Sequence, residues 1–149
     1  MSYSQHSSDI GGHPELAEMW DRLERTASSG KAVVVEGLIL LAGLYAAISP
    51  WVVHFSGTEA GLTINNLVVG LAVAAIGLGL ALAPDRMFRL TWASVPLGIW
   101  LIISPWVATA AHSAGAGIIW NNVVTGAVIC VLGLAAAGMT IGVTRQSSR

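Results

Sequence analysis

The chain has 149 residues, 54% of them hydrophobic and only 10% charged, with a formal net charge of −1. That composition excludes an ordinary soluble domain of this size and makes lipid the solvent for most of the chain. The near-neutral balance excludes a nucleic-acid partner, and the single cysteine, Cys130, excludes an intrachain disulfide and reads as a small buried hydrophobe.

In chain order, the residues before Gly12 read as a disordered tail. The first thirty residues lack the basic, apolar and small-residue succession of a cleaved signal peptide, so the first membrane helix is expected to act as its own insertion signal. From Pro14 to Ala27, the residues Leu16, Met19, Trp20, Leu23 and Ala27 recur at i, i+3, i+4, i+7 and i+11, which predicts an amphipathic helix over 14–27. Its other faces carry Glu15, Glu18, Asp21, Arg22, Glu24 and Arg25. Net acidity opposes adsorption to an anionic leaflet, so the expected partner of Leu16, Met19, Trp20 and Leu23 is a protein surface. Thr26 to Gly30 reads as a short flexible linker.

Four apolar segments follow: Ala32 to Phe55, Leu62 to Ala83, about Met87 to Ala111, and Ile118 to Val143. Each can cross about 30 Å of hydrocarbon as a helix rising about 1.5 Å per residue. Lipid leaves no alternative to helix here, because unpaired backbone groups are too costly and the alternation of a barrel strand is missing. The predicted fold is all-α: a four-helix transmembrane bundle preceded by a cytoplasmic amphipathic helix. The third helix is expected to start near Asp85, as its cap, and to bend at Pro96.

All seven basic residues lie in three places: Arg22, Arg25 and Lys31 before the first span, Arg86 and Arg89 between the second and third, and Arg145 and Arg149 at the end. The positive-inside rule then puts both termini in the cytoplasm, with a bacterial inner membrane as the expected location. Trp51, Trp106 and Trp120 fall at the predicted outer boundary and Trp92 near the inner one, where indoles prefer to sit.

The strongest pattern is a duplication. Gly43-Leu-Tyr-Ala-Ala-Ile-Ser-Pro-Trp-Val52 aligns with Gly98-Ile-Trp-Leu-Ile-Ile-Ser-Pro-Trp-Val107, matching glycine, an aromatic and Ile-Ser-Pro-Trp-Val. Ile64-Asn-Asn-Leu-Val-Val-Gly70 aligns with Trp120-Asn-Asn-Val-Val-Thr-Gly126, and Gly77-Leu78 with Gly133-Leu134. Both copies start on the same side, so they are expected to be parallel repeats: tandem hairpins at 32–83 and 92–143. Residues 1–31 form the cytoplasmic lead-in, 84–91 the middle loop and start of the third helix, and 144–149 the C-terminal tail. Through its doubled Ser-Pro-Trp, each followed by a Trp/Ile-Asn-Asn helix start, the chain resembles the SPW repeat family of small bacterial membrane proteins. The resemblance runs from Glu36 to roughly Gly138, and His13-Pro-Glu-Leu-Ala-Glu-Met19 is similar to the lead-in of actinobacterial members. It implies a four-helix membrane domain and brings no activity, cofactor or catalytic residue. The first copy departs from the fuller motif at Ile64, where the second has Trp120.

Physically, Pro50 and Pro105 each remove a backbone donor, and Ser49 and Ser104 can bond back to the helix, so Ser49-Pro50-Trp51 and Ser104-Pro105-Trp106 read as hairpin corners. Asn65 and Asn66, and Asn121 and Asn122, return the chain into the membrane. On a wheel of about 100° per residue, Asn66, Gly70 and Gly77 share one face, as do Asn122, Gly126 and Gly133. With Gly43 and Gly98, these glycines are expected at helix contacts, where an asparagine can bond across to another helix. Any ligand cavity is expected on the pseudo-twofold axis, between Asn66 and Asn122. Glu36 is an intramembrane acid, expected to reach the headgroups or pair with Lys31, Arg86 or Arg89. His54 and His112 occupy different repeat positions, which argues against a paired haem or metal site.

No catalytic residue, metal site or cofactor is expected, since nucleophile–base pairs, phosphate loops and metal-spaced clusters are missing from the sequence. The expected function is a non-enzymatic membrane accessory or assembly protein, packing against other membrane proteins or itself among membrane lipids. The alternatives are a binder of a lipid, quinone or similar amphiphile between the repeats, and a channel or transporter component formed by oligomerisation.

Overall fold

A computed structural model describes residues 14–109 and 114–147, apart from the side chains of Asp85, Phe88 and 143–147. The expectations for His112 and for the tail before Pro14 fall outside it, and Asp85, expected as a cap, is instead the second residue of a short helix that starts at Pro84. Apolar segments in lipid must pair their own backbone groups, and all regular structure among the described residues is accordingly helical. The elements are α1 (Pro14–Val52), α2 (Ala60–Leu82), α3 (Pro84–Met87), a 3-10 stretch (Phe88–Ala93), α4 (Ser94–Val107) and α5 (Ala116–Ser147). Four spans are long and apolar enough to cross a membrane: Pro14–Val52, Ala60–Leu82, Arg89–Val107 and Ala116–Gly142. The fold is the all-α four-helix arrangement that the apolar segments predict. The chain divides into two compact units, Met1–Val33 and Val34–Arg149.

In the first unit, the expected linker at Thr26 to Gly30 is helix instead, part of the unbroken α1. Thr26 Oγ1 donates to Arg22 O at 2.8 Å and Ser28 Oγ to Arg25 O at 3.0 Å, so these hydroxyls bond to the preceding turn rather than compete with it. One glycine in a helix interior costs about 1 kcal/mol, too little to break a helix already built on both sides. Met19, Trp20 and Leu23 are exposed, and Leu16 is partly buried.

In the second unit the helices are held at close range by their smallest residues. A Cβ added at Gly70 of α2 would lie 2.7 Å from Ala47 Cα on α1, and one at Gly98 of α4 would lie 2.7 Å from Gly126 O on α5. Only glycine permits that approach of two backbones. Gly43 and Gly77 belong to the α1–α2 contact, and Gly126 and Gly133 to the α4–α5 contact. All six glycines of the two stripes therefore serve packing inside the chain. Around them, Ile39, Ala46, Val69, Val73, Ile76, Leu80, Leu101, Ile129 and Ala136 form one apolar core.

The third span departs from expectation at its start. It is irregular before Pro96 rather than at it: α3 ends at Met87, the 3-10 stretch follows, and regular α-helix begins at Ser94. Pro96 then falls in the first turn of α4, where a backbone N–H has no helical acceptor to lose. Fourteen α residues alone are too short to cross. The six 3-10 residues rise about 2.0 Å each, which brings the span to about 33 Å.

The first span ends in a tight cap. Phe55 N–H donates to Pro50 O at 2.9 Å, which requires His54 between them to adopt the left-handed conformation at φ 64°. Phe55, next in sequence, is buried at 1% exposure.

Candidate functional site

A proline inside a helix leaves the carbonyl four residues earlier without its donor. For Pro50 that carbonyl is Ala46 O, and for Pro105 it is Leu101 O. In both copies the preceding serine fills the gap. Ser49 Oγ donates to Ala46 O at 2.9 Å, and Ser104 Oγ donates to Leu101 O at 2.8 Å. The helix therefore continues through each Ser-Pro pair and stops two residues later, at Val52 and Val107.

Having given its proton away, each serine oxygen can accept. Asn66 Nδ2 donates to Ser49 Oγ at 3.2 Å and Asn122 Nδ2 to Ser104 Oγ at 3.0 Å. The two asparagines also face each other. Asn66 Nδ2 donates to Asn122 Oδ1 at 2.9 Å, and Asn122 Nδ2 donates to Asn66 Oδ1 at 3.1 Å. Each carboxamide oxygen takes a further bond from its neighbour in sequence, Asn65 Nδ2 at 3.3 Å and Asn121 Nδ2 at 3.2 Å. An amide offers two donors and two acceptor sites. Asn66 and Asn122 use all four, and both are 0% exposed.

The outer asparagines are held across the junction between hairpins. Tyr45 OH on α1 donates to Asn121 Oδ1 on α5 at 2.9 Å, and Trp100 Nε1 on α4 donates to Asn65 Oδ1 on α2 at 2.7 Å. Each hairpin's aromatic thus reaches the other hairpin's amide. Ser49, Asn65, Asn66 and Tyr45 repeat the bonding of Ser104, Asn121, Asn122 and Trp100 bond for bond. The carboxyl ends of α1 and α4 and the amino ends of α2 and α5 meet at this one level, so the two hairpins run parallel. They are related by a pseudo-twofold rotation through the amide pair.

A profile of the SPW repeat domain matches residues 33–136. The chain belongs to the SPW repeat family. No curated protein and no solved structure matches it. The geometry explains the three-residue motif of the SPW hairpins. Proline frees a carbonyl, serine takes it and presents an acceptor to the asparagine of the next helix, and tryptophan follows at the exposed rim, with Trp51 at 51% and Trp106 at 46% exposure.

The cavity expected between Asn66 and Asn122 is filled by their own side chains, and a polar ligand there would have to displace bonds that the amides make to each other. Tyr45 and Trp100 are the members of the network that reading by motif missed. Their signal was present in the alignment, where the aromatic two residues after Gly43 and Gly98 carries a polar hydrogen in both copies.

The remaining expected residues lie elsewhere. Leu16, Met19, Trp20 and Leu23 sit in the first unit. His54 is exposed in the first loop, and among the described residues no three His, Cys, Asp or Glu side chains gather in a metal-binding group. Cys130 is partly buried, its Sγ 3.4 Å from Val95 O. Ser94 Oγ is buried without a hydrogen-bond partner. Glu36 is partly buried on the packed face of α1, and its backbone oxygen would lie 3.0 Å from a Cβ at Gly77. Among the described residues, the one ion pair is Arg25 with Asp21 at 3.6 Å, so the expected pairing of Glu36 with Lys31, Arg86 or Arg89 does not occur. Arg86 and Arg89 are exposed.

Two measurements test the network. Asn66→Leu and Asn122→Leu should each lower the unfolding free energy in detergent by about 2 kcal/mol, since each leaves several buried partners unpaired. The double variant should cost about 1 kcal/mol less than the sum; strict additivity would mean that the amides do not act as a pair. Ser49→Ala should cost about 1 kcal/mol in the wild-type background and clearly less in a Pro50→Ala background, where residue 50 again has an N–H for Ala46 O. Equal costs in both backgrounds would contradict the exchange of donors between serine and proline.

Proposed function

We propose that this SPW repeat protein is a non-enzymatic accessory or assembly subunit of a bacterial inner-membrane protein complex. In this reading, residues 14–27 form a cytoplasmic docking helix and the two hairpins anchor it. The observation that carries the proposal is a contrast between the two units. Inside the bundle, the central amides bond to one another and the glycine stripes pack within the chain. On the lead-in helix, Met19, Trp20 and Leu23 are exposed at 47%, 62% and 53%. Large apolar groups on a helix whose other faces are charged need a surface to cover them. The acidic faces disfavour an anionic leaflet, which leaves a protein as the partner. Because the internal contacts consume the glycine faces, the docking role falls to this helix.

The distribution of Lys and Arg supports an orientation with both termini and the 84–91 connection in the cytoplasm. In a Cys130→Ala background, cysteines introduced at Gly57 and Ala114 should react with an impermeant thiol reagent applied to intact cells. One at Ser28 should not, and its labelling would reverse the orientation.

The docking role is tested by changing Trp20 and Leu23 to Ala together, or by deleting residues 1–28. Both variants should insert into the membrane at wild-type levels and lose at least about tenfold of the copurifying partner, a loss of about 1.4 kcal/mol or more in binding. Full retention of the partner by both would refute a docking role for this helix.

A further inference from the structure

The segment between the hairpins is fixed on one side and open on the other. Met87 is seated against α2, where a Cβ added at Gly79 would run into its methyl group. Arg86 N–H and Met87 N–H donate to Ala83 O at 3.2 and 3.1 Å, and Thr91 and Ser94 are buried. With those side chains facing the bundle, Arg86, Arg89, Leu90 and Trp92 are exposed.

The 3-10 stretch decides how the open side is arranged. At about 3.0 residues per turn, residues three apart eclipse, so Arg89 and Trp92 stand in line, about 6 Å apart along the axis. Arg86, one turn earlier, falls within about 30° of the same line. A regular α-helix would turn each successive member by about 60° and spread the three over about 120°. On α4, the exposed Ile99 returns to this line about 17 Å beyond Arg89, the depth of one leaflet. Arg89 is the first residue of its span. The order along the line is therefore two guanidiniums at the membrane boundary, an indole just inside it, and aliphatic surface beyond. In the first copy Lys31, Val34 and Gly37 occupy the positions of Arg86, Arg89 and Trp92, so the line belongs to the second copy alone.

We propose that this line is a binding site for an anionic phospholipid. The two arginines take the phosphate through charge-assisted N–H···O bonds, Trp92 lies at the level of the glycerol, and an acyl chain follows α4 past Ile99. Charge and depth select this occupant. Arg86 and Arg89 form no ion pair among the described residues, and Asp85, the only acid in 84–107, offsets at most one of the two charges. A second copy brings the same net positive segment to this level, and its one acid within the apolar segments, Glu36, is half-buried on the α1–α2 packing face. A free phosphate would make no use of the indole and Ile99. A zwitterionic lipid carries its own cation beside the phosphate, which two arginines repel.

The test offers the full-length protein, purified in mild detergent, equal amounts of phosphatidylglycerol and phosphatidylcholine and reads bound lipid by native mass spectrometry. The wild type should retain phosphatidylglycerol at least about tenfold over phosphatidylcholine, a preference of about 1.4 kcal/mol. Arg86→Gln with Arg89→Gln should remove that preference. A second variant exchanges neighbours, Arg89→Leu with Leu90→Arg, which keeps the net charge and turns one cation about 120° away from Arg86 and Trp92. It should melt at the wild-type temperature and lose the preference as well. Excess inorganic phosphate should leave the bound lipid in place. Equal retention of both lipids by the wild type, or an unchanged preference in the double glutamine variant, would overturn the site. A preference that survives the exchange of neighbours would reduce it to diffuse attraction, displacement by inorganic phosphate would make it a free-anion site, and a wild-type dimer that both variants dissociate would assign the face to a second copy; each of these also overturns the proposal.

Discussion

The second unit depends on one buried contact, the reciprocal pair of carboxamides at Asn66 and Asn122. A hydrogen bond between membrane helices is worth less than about 1 kcal/mol on average, so two such bonds do not by themselves hold a bundle together. Their importance is geometric. An amide buried at 0% exposure needs partners for its donors and acceptors, and the arrangement that provides them here puts α2 against α5 at one level and brings in the serine ends of α1 and α4. The apolar core and the glycine contacts supply the attraction, and the amides specify which packing it stabilises. A hairpin displaced by one turn would keep much of its apolar contact and strand several polar groups in a medium without water.

The motif residues form a sequence of donors in which each member leaves a need that the next one meets. Proline removes a donor, serine replaces it, and the serine oxygen then accepts from asparagine. Asparagine accepts in turn from a neighbouring amide, which is held by tyrosine or tryptophan of the other hairpin. Reading any member singly misses this, because serine, asparagine and proline in a membrane helix each have an ordinary local role. Their joint function appears only when four helix ends are brought together.

The bundle is symmetric at one end and asymmetric at the other. At the Ser-Pro-Trp end both copies make the same bonds. At the opposite end Glu36 corresponds to Thr91, Ile39 to Ser94, and a regular α-helix to a 3-10 stretch. A duplicated protein that keeps its symmetry for assembly and loses it elsewhere points to the asymmetric end as the place where the copies serve different tasks.

Sequence alone determined the membrane environment, the four spans, the duplication and the residues that must face protein, because each follows from local chemistry. Length and apolarity select helix in lipid, and small residues recurring at helical spacing mark a contact face. Sequence also singled out Ser49, Pro50, Asn66 and their counterparts without showing what they bond to. Only the tertiary structure decided that Asn66 meets Asn122, that Tyr45 and Trp100 complete the network across hairpins, and that Glu36 has no ion pair among the described residues. It also decided that Thr26 to Gly30 continues the helix and that irregularity in the third span lies before Pro96. The reason in each case is distance: a hydrogen bond reaches about 3 Å. Which side chains come that close is set by the packing of whole helices, and no local spacing in the chain encodes it.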